Sequence, residues 1–347
     1  MRRSSTFSFD PVGLLRALWL LFSRLAVLAT VTAAMCAAAY TGYLHNPTFT
    51  QLFRSFSTDH LVVFEQLRRA REDPLPDVAF FGDSSCLMGI DVTSLRQGAP
   101  GRAIESYCAI GYIGPVGYAD MLNTLRARGA RPKKLVIVLH PVQFVRHPSW
   151  DTWLPVVRGE KMTGGADLGF PLAALDYVRF EWVAQLLYRP LPGAFALFFG
   201  SATQLTGHLR SNHGGTIDPG AGLQYPSMAA FQRQSFAPMP VAQSYSYSTN
   251  EMFDSTLPPL AAAISSLAPQ QTYLLISPIP QSRYGANSGA ERAASAAKIG
   301  RALGIPETNI IRSPGSLPNK YFSSETHLNR WGRTLFTESL AAQIDGR

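Results

Sequence analysis

A serine and a histidine at opposite ends of the chain have the residue types of an acyl-transfer pair. Ser84 lies in Gly82-Asp83-Ser84-Ser85, directly after an apolar run, and His327 lies shortly before the last predicted helix. A serine hydroxyl becomes a nucleophile when a neighbouring imidazole accepts its proton, and an ester carbonyl is a suitable target for such a pair. Taken alone, Gly-Asp-Ser is also ordinary turn and N-cap chemistry, and a histidine at this position can simply cap a helix.

The local context of Ser84 favours the catalytic interpretation. Asp77–Phe81 predicts a short buried strand that runs into the serine turn, and a helix is expected to follow. A hydroxyl at that turn would lie at the carboxyl edge of the sheet, where open α/β folds place their sites. The Ser84 backbone N–H, at a helix N-terminus, could then donate to a developing oxyanion. Asp83 is expected to accept hydrogen bonds within the turn rather than to act as an acid.

Alternating strands and helices predict an α/β fold with a mainly parallel sheet around these residues. Continuous apolar runs predict buried strands at Leu135–Leu139 and Thr272–Ile276, and Asn309–Arg312 is expected to form a last short strand. The helices expected around the strands cover residues 51–72, Pro115–Gly129, Ala261–Leu267, Ala290–Leu303 and Asn329–Ile344.

An uncharged N-terminal run, Leu25–Leu44, predicts one transmembrane helix. Twenty helical residues at about 1.5 Å each span roughly the 30 Å hydrocarbon core of a bilayer. The positive charges near this run precede it, so the N-terminus is expected in the cytoplasm of a bacterial inner membrane. Residues 1–48 would form the cytoplasmic tail and anchor, and residues 49–347 an extracytoplasmic, periplasmic domain. The alternative is a cleaved signal peptide with small residues at Ala37–Ala39, but the apolar run exceeds the usual core of about 7–15 residues.

Composition excludes some classes of partner. The charged fraction is only 16%, as expected when one segment lies in lipid. The net charge of +8 is not gathered into a Lys/Arg run interleaved with aromatic residues, so nucleic acid is not an expected partner. No Cys or His spacing suggests a metal, and neither a metal nor a cofactor is expected. Cys86 and Cys108 could pair in an oxidising compartment, although two buried thiols are the favoured interpretation.

An insertion at about 145–250 interrupts the alternation of strands and helices. It contains scattered aromatic residues and loop signals, and within it Pro190–Gly207 is uncharged. The prolines and glycines of this segment argue against a second spanning helix. A core helix is the favoured interpretation, and an apolar face turned toward the membrane or a membrane partner is the alternative.

Two segments resemble known sequence blocks. FFGDSSCLMGID and SSETHLNRWG are similar to the first and final blocks of the SGNH (GDSL-like) hydrolase superfamily. The resemblance implies an SGNH-type three-layer sandwich, with Ser84 as nucleophile and His327 as base. Gly111, within SYCAIGYIG, matches the second-block glycine whose N–H joins that of Ser84 in the oxyanion hole. The resemblance covers most of residues 77–344 and is nearest to membrane-anchored DltD-like and alginate O-acetylation proteins, which work beside multi-pass membrane-bound O-acyltransferases.

The chain departs from this pattern at two places. The residue three before His327 is Ser324 instead of aspartate. Glu325, or a backbone carbonyl, would then have to orient the imidazole. The third-block Gly-x-Asn-Asp is also absent, and His140 or Gln143, in His-Pro-Val-Gln, would have to supply the missing oxyanion donor. Loss of the carboxylate slows such chemistry, and loss of one donor costs about 10²-fold or more.

The sequence therefore predicts a membrane-anchored serine esterase or O-acyltransferase that acts on acyl esters of an envelope polysaccharide or glycolipid. A membrane-bound O-acyltransferase is its expected partner. The alternative is a catalytically degenerate domain that binds glycan or scaffolds an acyltransferase. A third hypothesis, an exported lipase, predicts turnover of short p-nitrophenyl esters without any partner.

Overall fold

A computed structural model describes residues 19–32, 34, 58–145, 207–215 and 245–344. The chain divides into two compact units, Met1–Phe56 with Ala166–Tyr177, and Ser57–Gly165 with Val178–Arg347. Ser84 and His327 both belong to the second unit.

A four-stranded parallel sheet forms the centre of the second unit. Its strands are β1 (Val78–Gly82), β2 (Ile104–Ser106), β3 (Lys134–Leu139) and β4 (Gln271–Ile276), in the order β2-β1-β3-β4. Every residue of β1 is buried, and so is every residue of β3 after Lys134. Strands buried along their whole length are typical of a parallel sheet that is covered on both faces. The predicted α/β fold with a mainly parallel sheet is confirmed.

Helices follow and cover the strands. They are α1 (Thr58–Glu72), α2 (Ser84–Gly89), α3 (Val92–Gly98), α4 (Gly114–Ala127), α5 (Val142–Val145), α6 (Glu251–Leu267), α7 (Ser288–Ala302) and α8 (Arg330–Ile344). Helix α4 packs against α1 and α6, whereas α8 packs against α2 and α3. Two short strands, β5 (Ile279–Pro280) and β6 (Ser316–Leu317), pair in a separate small sheet. The predicted helices around Pro115–Gly129, Ala290–Leu303 and Asn329–Ile344 are confirmed.

Helix α6 is longer than the predicted Ala261–Leu267. It begins at Glu251, where Asn250 caps the N-terminus by accepting a backbone N–H, and it contains Pro258 and Pro259. Proline lacks an N–H and usually interrupts a helix. The sequence pattern therefore predicted that the helix begins after the two prolines, which is too late. Packing of α6 against α4 buries one face of the helix along its length and offsets the lost backbone bonds.

The predicted strand at Asn309–Arg312 is wrong. Only Ile310 pairs there, in a single parallel bridge to Leu274 of β4. The preceding Glu307–Asn309 forms a 3₁₀ turn, which leaves too short a straight segment for a ladder. This segment therefore extends the edge of the sheet by one residue pair.

The N-terminal unit is described only in part. Residues 19–32 and 34 are helical, and several large apolar side chains of this helix are exposed: Trp19, Leu20, Leu21, Phe22, Leu25 and Val27. The remainder of the predicted anchor lies outside the described residues, as do residues 146–206 and 216–244 of the insertion. Within the ranges given above, none of the helices combines the length and the apolarity needed to cross a membrane.

Candidate active site

Ser84 and His327 meet at the carboxyl edge of the sheet. The Ser84 Oγ atom lies 2.9 Å from Nε2 of His327. Ser84 is the first residue of α2, directly after β1, and Asp83 is the N-cap of that helix. His327 lies in the loop before α8, where an antiparallel bridge between Phe322 and Leu328 closes the turn. The fold thus brings the two predicted residues within hydrogen-bond reach, and both side chains are half-buried.

A serine occupies the place of the usual orienting carboxylate. Nδ1 of His327 lies 3.0 Å from Oγ of Ser324 and 3.3 Å from Oγ1 of Thr326. When Nε2 accepts the Ser84 proton, Nδ1 carries a hydrogen and donates it to one of these hydroxyls. Burial, with a smaller contribution from the His140 ring, lowers the pKa of His327 to about 4. The ring is therefore held by a neutral partner and stays unprotonated at neutral pH.

Glu325 does not reach the imidazole. Its Oε1 forms an ion pair with Arg283, and its Oε2 accepts a hydrogen bond from the Tyr245 hydroxyl at 3.3 Å. Among the described residues no hydrogen bond joins Glu325 to His327. Ser324 and Glu325 are neighbours in a turn, so their side chains point to different sides of the chain. The structure thus brings Ser324, and not the predicted Glu325, to the histidine.

The Asp83 carboxylate holds the turn that carries Ser84. Its Oδ1 accepts from the backbone N–H and the hydroxyl of Ser85, at 2.8 and 2.5 Å. Its Oδ2 accepts from the backbone N–H of His140 at 2.9 Å and from the Gln143 amide. Burial raises the pKa of this carboxyl group, and the hydrogen bonds from Ser85 and from the His140 backbone act against that shift. The carboxylate therefore ties the end of β1 to the end of β3, as a structural acceptor.

Two backbone N–H groups near Ser84 are relevant to the predicted oxyanion hole. Gly111 begins a 3₁₀ turn, and a Cβ built on it would lie 3.3 Å from Nε2 of Gln143 and 3.8 Å from Cβ of Asp83. Gly111 is therefore packed beside the turn of Ser84. In the described part of the chain neither the Ser84 N–H nor the Gly111 N–H has a hydrogen-bond acceptor. Both amides can donate to a bound ligand.

Gln143 is not available as the predicted oxyanion donor. Its Nε2 is buried, donates to Oδ2 of Asp83 and lies 3.4 Å from the Tyr118 hydroxyl. Moving this amide toward a substrate would leave the buried Asp83 carboxylate short of one donor, which is costly. The prediction for Gln143 is corrected on this ground.

A disulfide joins the two sides of the site. Cys86 of α2 and Cys108, which precedes the Gly111 turn, are bonded with their Cα atoms 5.7 Å apart. The favoured interpretation of two separate thiols was wrong, because nothing in the sequence shows that the strand order brings these residues together. The bond links the helix that begins at Ser84 to the loop that leads to Gly111.

Loss of this disulfide is expected to lower the free energy of unfolding by about 3 kcal/mol, since the bond closes a loop in the unfolded chain. The two cysteines are separated by 22 positions. Urea unfolding of the full-length chain, with and without dithiothreitol, measures the difference. A double variant, Cys86→Ala with Cys108→Ala, is the control and should not respond to dithiothreitol. Identical midpoints for the reduced and oxidised wild type would contradict the prediction.

Two residues of the site were not predicted as such. The sequence did point to Ser324 through its position three residues before His327. An aspartate was expected to orient the imidazole from that position, and a serine was not. Tyr245 had no such signal, because it lies within the insertion at about 145–250, which shows no periodic pattern. Its ring meets the His140 ring edge to face, with centroids 5.7 Å apart. Tyr245 thus connects His140 to Glu325 along one wall of the site.

The fold and the site define an α/β protein with a serine–histidine pair at the carboxyl edge of a parallel sheet. No family model, no curated protein and no solved structure matches this chain.

Proposed function

We propose that this chain is a membrane-anchored SGNH-like serine esterase or O-acyltransferase acting on acyl esters of a cell-envelope polysaccharide or glycolipid. The observation that carries the proposal is the 2.9 Å contact between Ser84 Oγ and His327 Nε2 at the strand ends. The buried strands β1 and β3, covered on both faces, support an SGNH-type three-layer sandwich. The two amides beside the serine support ester chemistry in particular.

Acyl transfer would begin with attack of Ser84 Oγ on the ester carbonyl carbon while His327 Nε2 accepts the hydroxyl proton. The carbonyl electron pair moves to the oxygen, which the N–H groups of Ser84 and Gly111 stabilise. Collapse of this intermediate expels the alkoxide, which takes the proton from His327 and leaves the acyl group on Ser84. Water or a sugar hydroxyl then attacks the acyl group by the same route.

Two features support a location outside the cytoplasm. The Cys86–Cys108 disulfide is typical of an oxidising compartment. The uncharged run Leu25–Leu44 and the exposed apolar side chains of the helix before and within it support an inner-membrane anchor with the N-terminus in the cytoplasm. An anchor holds the domain near a membrane acyl donor at high effective concentration. This arrangement favours transfer, with a multi-pass membrane-bound O-acyltransferase as the partner.

One observation favours the second candidate, a degenerate domain that binds glycan or scaffolds an acyltransferase. His327 is oriented by the neutral Ser324 hydroxyl, and a hydroxyl cannot stabilise the imidazolium as a carboxylate does. An ancestral active site that retains its shape would keep the Ser84 contact even after losing its activity.

Reaction with a fluorophosphonate separates the two candidates. The full-length chain in detergent is expected to form a phosphonyl ester on Ser84, located by mass spectrometry of the labelled peptide, because the serine displaces fluoride only when it is activated. Ser94→Ala, at an exposed serine of α3, is the matched control and should label like the wild type. A folded chain that is not labelled, or is labelled elsewhere, would favour the degenerate domain.

A further inference from the structure

His140 emerges from the sheet beside the nucleophile. Strands β1 and β3 are parallel, with Gly82 opposite Val138, and Ser84 and His140 each follow two positions later. The backbone N–H of His140 donates to Oδ2 of Asp83 at 2.9 Å. His140 is therefore bonded to the residue that directly precedes Ser84.

The hydrogen bonds of His140 determine which ring nitrogen carries the proton. Its Nδ1 accepts a hydrogen bond from the backbone N–H of Val142 at 3.1 Å. A nitrogen that accepts is unprotonated, so the hydrogen of the neutral ring is on Nε2. Burial lowers the pKa of His140 to about 3, so the ring is neutral at neutral pH. His140 thus presents one N–H donor at Nε2.

Among the described residues this donor has no hydrogen-bond partner. The His140 side chain is only 1% exposed, and no acceptor in the ranges that the structure describes lies within hydrogen-bond distance of Nε2. A buried polar group without a partner is costly, and such groups call for an explanation when a fold retains them. The other polar side chain of this segment, Gln143, already donates its amide to Asp83. Of these two residues, His140 is the one whose donor has no acceptor in the described part of the chain.

A neutral His140 ring is also compatible with proton transfer from Ser84 to His327. A positive charge on His140 would lower the pKa of His327, since the two rings lie close enough to interact. A neutral His140 can stabilise negative charge on a substrate oxygen without opposing the proton transfer from Ser84 to His327.

From this geometry we propose that the Nε2–H of His140 is a third donor to the oxyanion, beside the Ser84 and Gly111 amides. The assignment rests on the proposed function and identifies the ligand atom as the carbonyl oxygen of an acyl ester. The proton stays on His140 throughout, and the electron pair that it stabilises returns to the carbonyl when the alkoxide leaves.

Tyr245 packs against the ring that carries this donor. The ring of Tyr245 lies edge to face against His140, and its hydroxyl makes a long 3.3 Å bond to Glu325. A bond of that length is weak, but the ring also packs against the hydrophobic core, so a bound acyl group would have to move it out of that packing. The oxygen of the bound ester would then satisfy the Nε2–H.

The role of His140 as an oxyanion donor is tested by comparing how fast an ester and its thiono analogue acylate Ser84. The full-length chain in detergent is mixed with p-nitrophenyl acetate or p-nitrophenyl thionoacetate, and the burst of p-nitrophenolate gives the acylation rate. His140→Phe, which keeps a ring without the donor, is expected to slow acylation by the oxygen ester about 10²-fold. The thionoester should lose much less, because sulfur is a weak hydrogen-bond acceptor. His140→Gln, which offers an amide N–H, should recover part of the loss.

The outcomes are distinguishable. An oxygen-ester rate that is unchanged in His140→Phe overturns the assignment, and so does an equal loss with both esters, which would indicate a structural role. A folded wild type that releases no p-nitrophenolate from either ester overturns the proposed function and the assignment with it. Thermal unfolding of each variant checks the fold, and His140→Leu replaces His140→Phe if the latter does not fold.

Discussion

His327→Ala is expected to slow the phosphonylation of Ser84 by on the order of 10⁴-fold, with little effect on folding. The alanine removes the nitrogen that lies 2.9 Å from the serine oxygen, so the hydroxyl must react without a base. The rate is measured as the appearance of labelled full-length chain at increasing fluorophosphonate concentration. Ser84→Ala, which should not be labelled at all, provides the background.

His208→Ala is the matched control for this variant, because His208 belongs to the helical segment 207–211 and not to the site. It should be labelled at the wild-type rate. If His327→Ala is labelled as fast as the wild type, the contact between Ser84 and His327 has no catalytic role, and the proposed mechanism fails.

Ser324→Asp is expected to accelerate phosphonylation by about 10–100-fold. In serine hydrolases the loss of the triad carboxylate costs about 10⁴-fold, and an aspartate at this position would return part of that factor. The Ser324 oxygen lies 3.0 Å from Nδ1 of His327, so a carboxylate, one bond longer, needs only a small shift to bind the same nitrogen. Ser324→Ala, which removes the neutral partner, should be slower than the wild type.

The pH dependence of the phosphonylation rate in these variants is a second test of the role of Ser324. A protonated His327 cannot accept the Ser84 proton, so labelling of the wild type should persist as pH falls and be lost only below about pH 4. An aspartate at 324 favours the imidazolium and raises the pKa of His327, so the loss should occur at a higher pH. Glu325→Gln is the control, since Glu325 binds Arg283 and Tyr245, and its pH profile should match the wild type. If Ser324→Asp changes neither the rate nor the profile, another group orients the ring.

The low pKa of His327 has a consequence for the mechanism. A base with a pKa of about 4 takes up a proton less readily at neutral pH than an ordinary imidazole does. Stabilisation of the oxyanion must then contribute more of the rate, and this gives weight to the amides of Ser84 and Gly111 and to His140. The proposed enzyme is therefore expected to be slow on simple esters, in keeping with the proposal that an anchor holds it beside an acyl donor.

Local pattern was sufficient for much of the fold. The strands at Val78–Gly82, Lys134–Leu139 and Gln271–Ile276 consist mainly of continuous apolar residues. A continuous apolar run indicates a buried strand even when it is only a few residues long. The position of Ser84 directly after a strand likewise placed its hydroxyl at the sheet edge. Helix α6 was underestimated because its two prolines are a local stop signal, whereas the packing that tolerates them is tertiary.

The partners of each polar side chain could be known only from the tertiary structure. Ser324 rather than Glu325 binds His327, and His140 rather than Gln143 has a donor without an acceptor among the described residues. The Cys86–Cys108 bond depends in the same way on the order of the strands. By itself the sequence determined that a serine turn follows a buried strand in an α/β chain and that a histidine precedes the last helix. Key contacts within 3 Å in this site join chain segments that are far apart in sequence. Sequence periodicity describes neighbouring residues, so it contains no information about the distances between such segments.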